Sequence, residues 1–197
     1  MMGRAPMAPS RLFPQSDDAW FYTHYFSQPG LAEMELERDI ATTLRKIYFS
    51  ASGDIGARDA DTPNPFGLVS RNGGLLDSLN DPPSLPAWLP AADLDEFVQA
   101  FSISGFRGGL NYYRNLDRNW EVQAAFEGLR VEVPALYLVG ERDTGLAIPG
   151  MREIIEAMPR IVPNLRGSRV IPRVGHWLQQ EAPDLVNAAL IEFLREH

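Results

Sequence analysis

Apolar positions recur at helical spacing through the first two thirds of the chain and gather into short continuous runs in the last third. Leu36, Ile40, Leu44 and Ile47 follow at steps of four, four and three, which predicts a helix from Leu31 to Phe49. Its acids come early and its bases, Arg45 and Lys46, come late, as the helix dipole favours. Ser52 to Pro90 is crowded with Gly, Pro, Asn and Asp and has almost no periodicity, which predicts a long loop lining a functional opening. Helical spacing resumes from Ala91 to Phe101 through Leu94, Phe97, Val98 and Phe101. It continues more weakly from Leu110 to Phe126 through Tyr113, Leu116 or Asp117, and Trp120. Near Val131 the texture changes. Ala135–Val139 is an unbroken apolar run ending in Gly140, the pattern of a strand buried on both faces of a parallel sheet. Pro149 to Ala157 reads as a helix, Ser168 to Ile171 as a second strand, and Pro183 to Arg195 as a closing amphipathic helix with Pro at its first position. The pattern predicts a mainly helical unit over 1–128 and a βαβα unit over 129–197. Two strands alone make a poor sheet, because each leaves an open edge.

Composition narrows the classes. With 197 residues, 45% apolar and 22% charged, the chain is globular and long enough to bury roughly 70% of its unfolded surface. A cysteine count of zero excludes disulfide scaffolds, cysteine–zinc sites and thiol nucleophiles. The net charge of −8 opposes nucleic acid and anionic membrane surfaces, so neither is an expected partner. The longest apolar run, Val133–Val139, falls far short of the roughly 20 residues of a membrane helix. A cytoplasmic location is the expectation. The three histidines, His24, His176 and His197, offer no ligand spacing, and there is no glycine-rich phosphate loop, so neither metal nor organic cofactor is expected.

The chemically loaded positions of the second unit are Asp143, just past the first strand, and His176, in the turn after the second. Catalytic groups in open parallel sheets gather at the carboxyl ends of strands, so this acid and this His can meet there. Each also has an ordinary reading. His176 can pack within a Gly-His-Trp turn, and Asp143 can serve as a turn or helix-cap acid. Taken jointly they favour a site.

Several stretches together resemble one family. They are Tyr22-Thr-His-Tyr-Phe-Ser-Gln-Pro-Gly30 with Leu31-Ala-Glu-Met-Glu-Leu-Glu37, then Ser104-Gly-Phe-Arg-Gly-Gly-Leu-Asn-Tyr-Tyr-Arg-Asn115 through Arg118-Asn-Trp120, then Gly140-Glu-Arg-Asp143, and Gly175-His-Trp177. In this order, over nearly the whole chain, they resemble the C-terminal part of soluble epoxide hydrolases of the α/β-hydrolase fold. The resemblance implies a helical cap, the lid inserted between strands six and seven, followed by a βαβα segment of the parallel core sheet. It also implies an alkyl-enzyme ester mechanism. Tyr22 and Tyr113 match the two cap tyrosines that donate protons to the epoxide oxygen, His176 the general base, and Asp143 the acid that orients it. Tyr22 has a packing reading too, within a Trp20, Phe21, Tyr25 and Phe26 cluster, and so has Tyr113; Tyr112 and Trp177 are expected to pack. The aromatic residues Phe21, Phe26, Phe66, Trp88 and Phe106 suggest an apolar tunnel, and the resemblance then implies a small apolar epoxide as substrate.

The sequence departs from the family at the nucleophile. No Asp or Ser is flanked by Gly two before and two after, and no His is followed by Gly, so neither the nucleophile elbow nor the His-Gly-x-Pro oxyanion turn is present. Met1-Met-Gly-Arg4 falls where the cap should emerge from strand six. The expectation is an epoxide hydrolase-like chain that lacks the nucleophile-bearing N-terminal half, is inactive alone, and takes that half as a separate partner. The alternatives are a non-catalytic remnant or binding module, or a fragment of another α/β-hydrolase such as a dehalogenase or esterase. The paired tyrosines argue against a dehalogenase, since a halide leaves without protonation.

Overall fold

The computed structural model describes residues 5–56, 64, 66–148 and 150–196, and they divide into two compact units. The described residues within Arg4–Ser50 and Pro63–Ala125 form the first, and those within Ala51–Thr62 and Phe126–His197 form the second.

In the first unit a short helix, α1 (Pro9–Leu12), precedes strand β1 (Ala19–Phe21). The helices α2 (Tyr22–Ser27), α3 (Leu31–Leu36) and α4 (Ile40–Ala51) follow. The single helix expected from Leu31 to Phe49 is therefore two. Asp39 ends the continuity by capping the new helix: its carboxylate accepts from the Thr42 backbone N at 3.0 Å and the Thr42 hydroxyl at 2.8 Å.

The segment expected to be one long loop contains a 3-10 turn, Gly53–Ile55, strand β2 (Leu68–Ser70) and helix α5 (Leu75–Ser78). Strand β2 pairs antiparallel with β1, Trp20 opposite Val69. The partner of β2 lies near the start of the chain, so no local hairpin pattern announces it. Helices α6 (Ala91–Ser104), α7 (Arg107–Arg114) and α8 (Leu116–Val122) complete the unit, with the weakly periodic stretch after Leu110 broken at Asn115.

The core of this unit gathers Leu36 and Leu44 with Val69, Leu75, Leu94 and Leu110, together with Tyr25, Phe26 and Phe106. Glu35 crosses it as a satisfied polar group, accepting from the Tyr25 hydroxyl and from the backbone N of Leu75 and Leu76, the latter two at 3.0 Å. Its charge stands at the start of α5, and Tyr25 is driven well above the ordinary phenol range by burial first and by that carboxylate second.

The second unit is built on strands β3 (Ala135–Gly140) and β4 (Leu165–Ile171), which pair in parallel with a register shift between Ala135 and Leu136. A 3-10 turn, Thr144–Ala147, and helices α9 (Met151–Glu156) and α10 (Met158–Ile161) connect them. The expected helix start at Pro149 lies outside the described residues. After β4 come α11 (Leu178–Glu181) and the long α12 (Pro183–Glu196), whose Val186 and Ala189 are buried. Ile171, Val174, Leu178 and Val186 make a separate small core. Strand β3 is not buried on both faces: Val139 and Gly140 are buried, whereas Ala135 through Leu138 are only partly covered, because β4 is its one strand partner among the described residues.

Residues Ala51 to Gly56 join this second unit, a departure from a single cut near 128. The carbonyl of Ala51 accepts from His176 N at 2.9 Å, which binds the segment beside the β4 turn. No helix among the described residues is long and apolar enough to cross a membrane.

Candidate active site

Gly140 ends β3, and three residues later Asp143 caps the 3-10 turn, its Oδ1 accepting from Gly145 N at 2.7 Å. The same oxygen lies 3.0 Å from Nδ1 of His176. An ionised carboxylate only accepts, so Nδ1 carries the proton and Nε2 is left as the basic nitrogen. Asp143 thus caps the 3-10 turn and meets His176 with the same oxygen.

The two turns that carry the pair are tied by main-chain bonds. Glu141 N donates to Ile171 O at 2.9 Å and Arg142 N to Val174 O at 2.8 Å. Arg173, at φ 65° the one non-glycine residue with positive φ among the described residues, donates its N to Glu141 Oε2 at 2.8 Å. Next to His176 the chain passes so close to another segment that only glycine fits: a Cβ on Gly175 would lie 2.4 Å from Gly53 N.

The electrostatics follow from this geometry. Burial pushes the Asp143 carboxyl up, but the hydrogen bonds from His176 and Gly145 N and the imidazolium charge outweigh it and hold the group below its ordinary range. The hydrogen bond to Asp143 raises His176 above its ordinary value, burial works against it, and the charges of Asp143 and Glu181 add to the rise. The imidazole is half exposed, its carboxylate partner largely covered. Trp177 stands edge-on to the imidazole at 5.0 Å between centroids and is partly buried.

The tyrosines belong to the first unit. Tyr22 opens α2, its backbone N bonded to Gly67 O at 2.9 Å, and Tyr113 lies on α7. Their rings meet edge to face, 5.8 Å between centroids, with Phe26 packed on both at 5.8 and 4.8 Å. Burial, and then the neighbouring Tyr113, push Tyr22 up to about 12, and burial raises Tyr113. Both phenols therefore stay protonated across the neutral range. Tyr112, expected to pack, is 78% exposed, because successive helix positions turn about 100° and its neighbour Tyr113 takes the inward face. Phe21, Phe26 and Phe106 are core residues of this unit.

Two anchors were not foreseen from the sequence. Arg114, next to Tyr113, reaches Glu33 Oε1 at 2.6 Å and Gln28 O at 3.3 Å, and Glu33 Oε2 also accepts from Gly30 N at 3.0 Å. This pair fastens α7 to the connection between α2 and α3, so it fixes the two tyrosines relative to each other. Glu181, six residues beyond Gly175, collects backbone amides around the His176 turn. Arg114 lies within the Ser104–Asn115 stretch and Glu181 four residues past Trp177, but a lone charge is indistinguishable from a solvated one until its partner is placed. No group of three or more potential metal-ligating side chains is clustered among the described residues.

No protein-family model matches the chain. Comparison with individual proteins is informative. Epoxide hydrolase A of Mycobacterium tuberculosis is 38% identical over 97% of this chain, and bifunctional epoxide hydrolase 2 of Rattus norvegicus is 34% identical over 88%. Among solved structures, an epoxide hydrolase from an endophytic Streptomyces superposes with a TM-score of 0.86 at 35% identity over 98% of the chain. Epoxide hydrolase A of Mycobacterium thermoresistibile does so with 0.84 at 37%. The chain spans 57% of the length of the Mycobacterium tuberculosis protein and 29% of the Rattus norvegicus one. With both the sequence similarity and the backbone match extending over most of the chain, the chain belongs to the epoxide hydrolases of the α/β-hydrolase fold and corresponds to a C-terminal portion of them.

Proposed function

We propose that this chain supplies the base, the orienting acid and the proton donors of an epoxide hydrolase, and that the attacking carboxylate comes from hydrolase sequence outside it. The observation that carries this reading is the pair of partly buried, protonated phenols, Tyr22 and Tyr113, held edge to face. An Asp–His pair serves many hydrolases, but two neutral donors side by side suit a leaving group that stays attached and must be protonated.

In this reading the helical unit acts as the cap, and a small apolar epoxide is the substrate. The carboxylate attacks a ring carbon, the carbon–oxygen bond breaks, and the oxygen takes a proton from one phenol while the other donates a hydrogen bond. His176 Nε2 then removes a proton from water, the hydroxide adds to the ester carbonyl carbon, and the tetrahedral intermediate collapses by breaking its bond to the substrate oxygen, which takes the proton of the new carboxylic acid so that the vicinal diol departs and the carboxylate is regenerated. Asp143 holds Nδ1–H and stabilises the imidazolium. The proton passes back to the tyrosinate. A cytoplasmic setting accompanies this reading, supported by the net charge of −8, which disfavours anionic membrane surfaces.

The test is hydrolysis of styrene oxide by the chain alone and by the chain combined with the upstream half of a related epoxide hydrolase. Turnover is expected only in the combination and should vanish with His176→Ala. Turnover by the chain alone, abolished by the same substitution, overturns the requirement for an outside carboxylate. A folded combination without diol formation overturns the hydrolase reading itself.

A further inference from the structure

The turn that holds His176 is gripped by one side chain. Glu181 Oε2 accepts from Gly53 N and from Gly175 N, both at 2.8 Å, and Oε1 accepts from Trp177 N at 3.1 Å. Two of these amides flank His176 on either side in the chain, and the third belongs to a distant segment. That segment closes the grip from the other direction. Ala51 O takes the His176 amide at 2.9 Å, and Gly53 O takes Arg142 Nη1 at 2.7 Å, one residue before Asp143. A Cβ at Gly53 would lie 2.1 Å from Arg173 O and 3.0 Å from Glu181 Oε2, so the segment sits there only because it carries no side chain.

We propose that Glu181 is a positioning residue for His176: its carboxylate draws together the Gly53, Gly175 and Trp177 amides and thereby fixes the turn from which the imidazole meets Asp143. Three amide donors are more than a surface carboxylate needs, and a carboxylate satisfied this way is held far more firmly than one in water. The role in catalysis rests on the reading of His176 as the base; the clamp itself does not. The charged groups around the imidazole are Asp143 and Glu181, with Glu141 engaged by Arg173 N and Arg142 by Gly53 O. Glu181 therefore also acts on His176 as a fixed negative charge, which Glu181→Gln removes while keeping the shape.

The direct measurement is an NMR titration of the His176 imidazole in the wild-type chain and in Glu181→Gln. The midpoint is expected to fall, because one of the two nearby negative charges is lost. The Gly53, Gly175 and Trp177 amides should exchange with solvent at least tenfold faster in the variant. In the reconstituted enzyme the variant should lower kcat at least tenfold with KM within twofold, and its acid limb should move to lower pH. An unchanged imidazole midpoint with unchanged amide exchange overturns the proposal. If Glu181→Gln does not fold, the wild type decides: the Gly53, Gly175 and Trp177 amides must exchange with solvent through one common opening, with equal opening free energies and equal denaturant dependence, and unrelated openings overturn it. Imidazole and amide shifts as expected, with no turnover in any reconstituted form, leave the clamp standing and overturn the hydrolase reading instead.

Discussion

Tyr22 and Tyr113, from helices α2 and α7, share one edge-to-face contact at an interplanar angle of 77°. Such a contact fixes both rings at once, so neither phenol can be moved without disturbing the other. Tyr22→Phe and Tyr113→Phe are each expected to lower epoxide turnover by the reconstituted enzyme about 100-fold, with little effect on KM. The double variant should be inactive, and the aromatic contact should keep all three variants folded. A spectrophotometric titration provides a second check. The tyrosinate band assigned to Tyr22, by difference from Tyr22→Phe, should rise with a midpoint of about 12.

The Asp143–His176 pair gives a pH signature in stability. His176 is raised in the folded chain, so its contribution is complete below its ordinary 6.5 and fades as pH climbs through the raised value. Asp143 is lowered, so its contribution is complete above its ordinary 3.8 and fades as pH falls through the lowered value. Both hold together between those ordinary values. The gap in thermal midpoint between wild type and Asp143→Asn should be widest in that window and narrow on both sides, as read by scanning calorimetry. In the reconstituted enzyme the same substitution should cost on the order of 10³-fold in turnover and move the acid limb to lower pH.

Arg114 and Glu33 are each only 16% exposed at the side chain, and their 2.6 Å bond joins α7, which bears Tyr113, to α3, the helix that follows the one bearing Tyr22. Burial raises the Glu33 carboxyl, but Arg114 and the local hydrogen bonds bring it below its ordinary range. Arg114→Ala leaves that carboxylate covered and unpaired, which should cost roughly 2–4 kcal/mol by urea denaturation. Glu33→Gln should cost less, since the amide oxygen still accepts from the guanidinium. A cost below about 0.5 kcal/mol for Arg114→Ala would class the pair with surface ion pairs and remove it as the brace of the tyrosines.

How much of this was legible in the sequence depended on range. The strands at Ala135 and Ser168, the closing helix from Pro183 and the meeting of Asp143 with His176 all follow from local pattern and a rule of parallel sheets. The tyrosines were legible only through resemblance, since a phenol in an aromatic cluster has the same pattern whether it packs or reacts. The break at Asp39 was hidden because the apolar stripe runs through it in register, and the cap competes with continuation of the helix by a side-chain bond that spacing does not report. The β1–β2 pairing and the ties from Gly53 to Arg142 and Glu181 join residues far apart in sequence, where composition and periodicity carry no information.

The Gly53 segment has a consequence for the order in which the molecule assembles. Its bond to Glu181 spans 128 residues and its bond to Arg142 spans 89, whereas the helices of the first unit are closed by neighbours a turn away. Long loops must close before such bonds can form, and each is worth little until its companions are present. The turn bearing His176 should therefore be among the last parts of the chain to become ordered. During refolding, pulse-labelled hydrogen exchange should find the Gly53, Gly175 and His176 amides protected after those of α6 and α7. A chain halted at that stage would hold its tyrosines in place while His176 was still untethered.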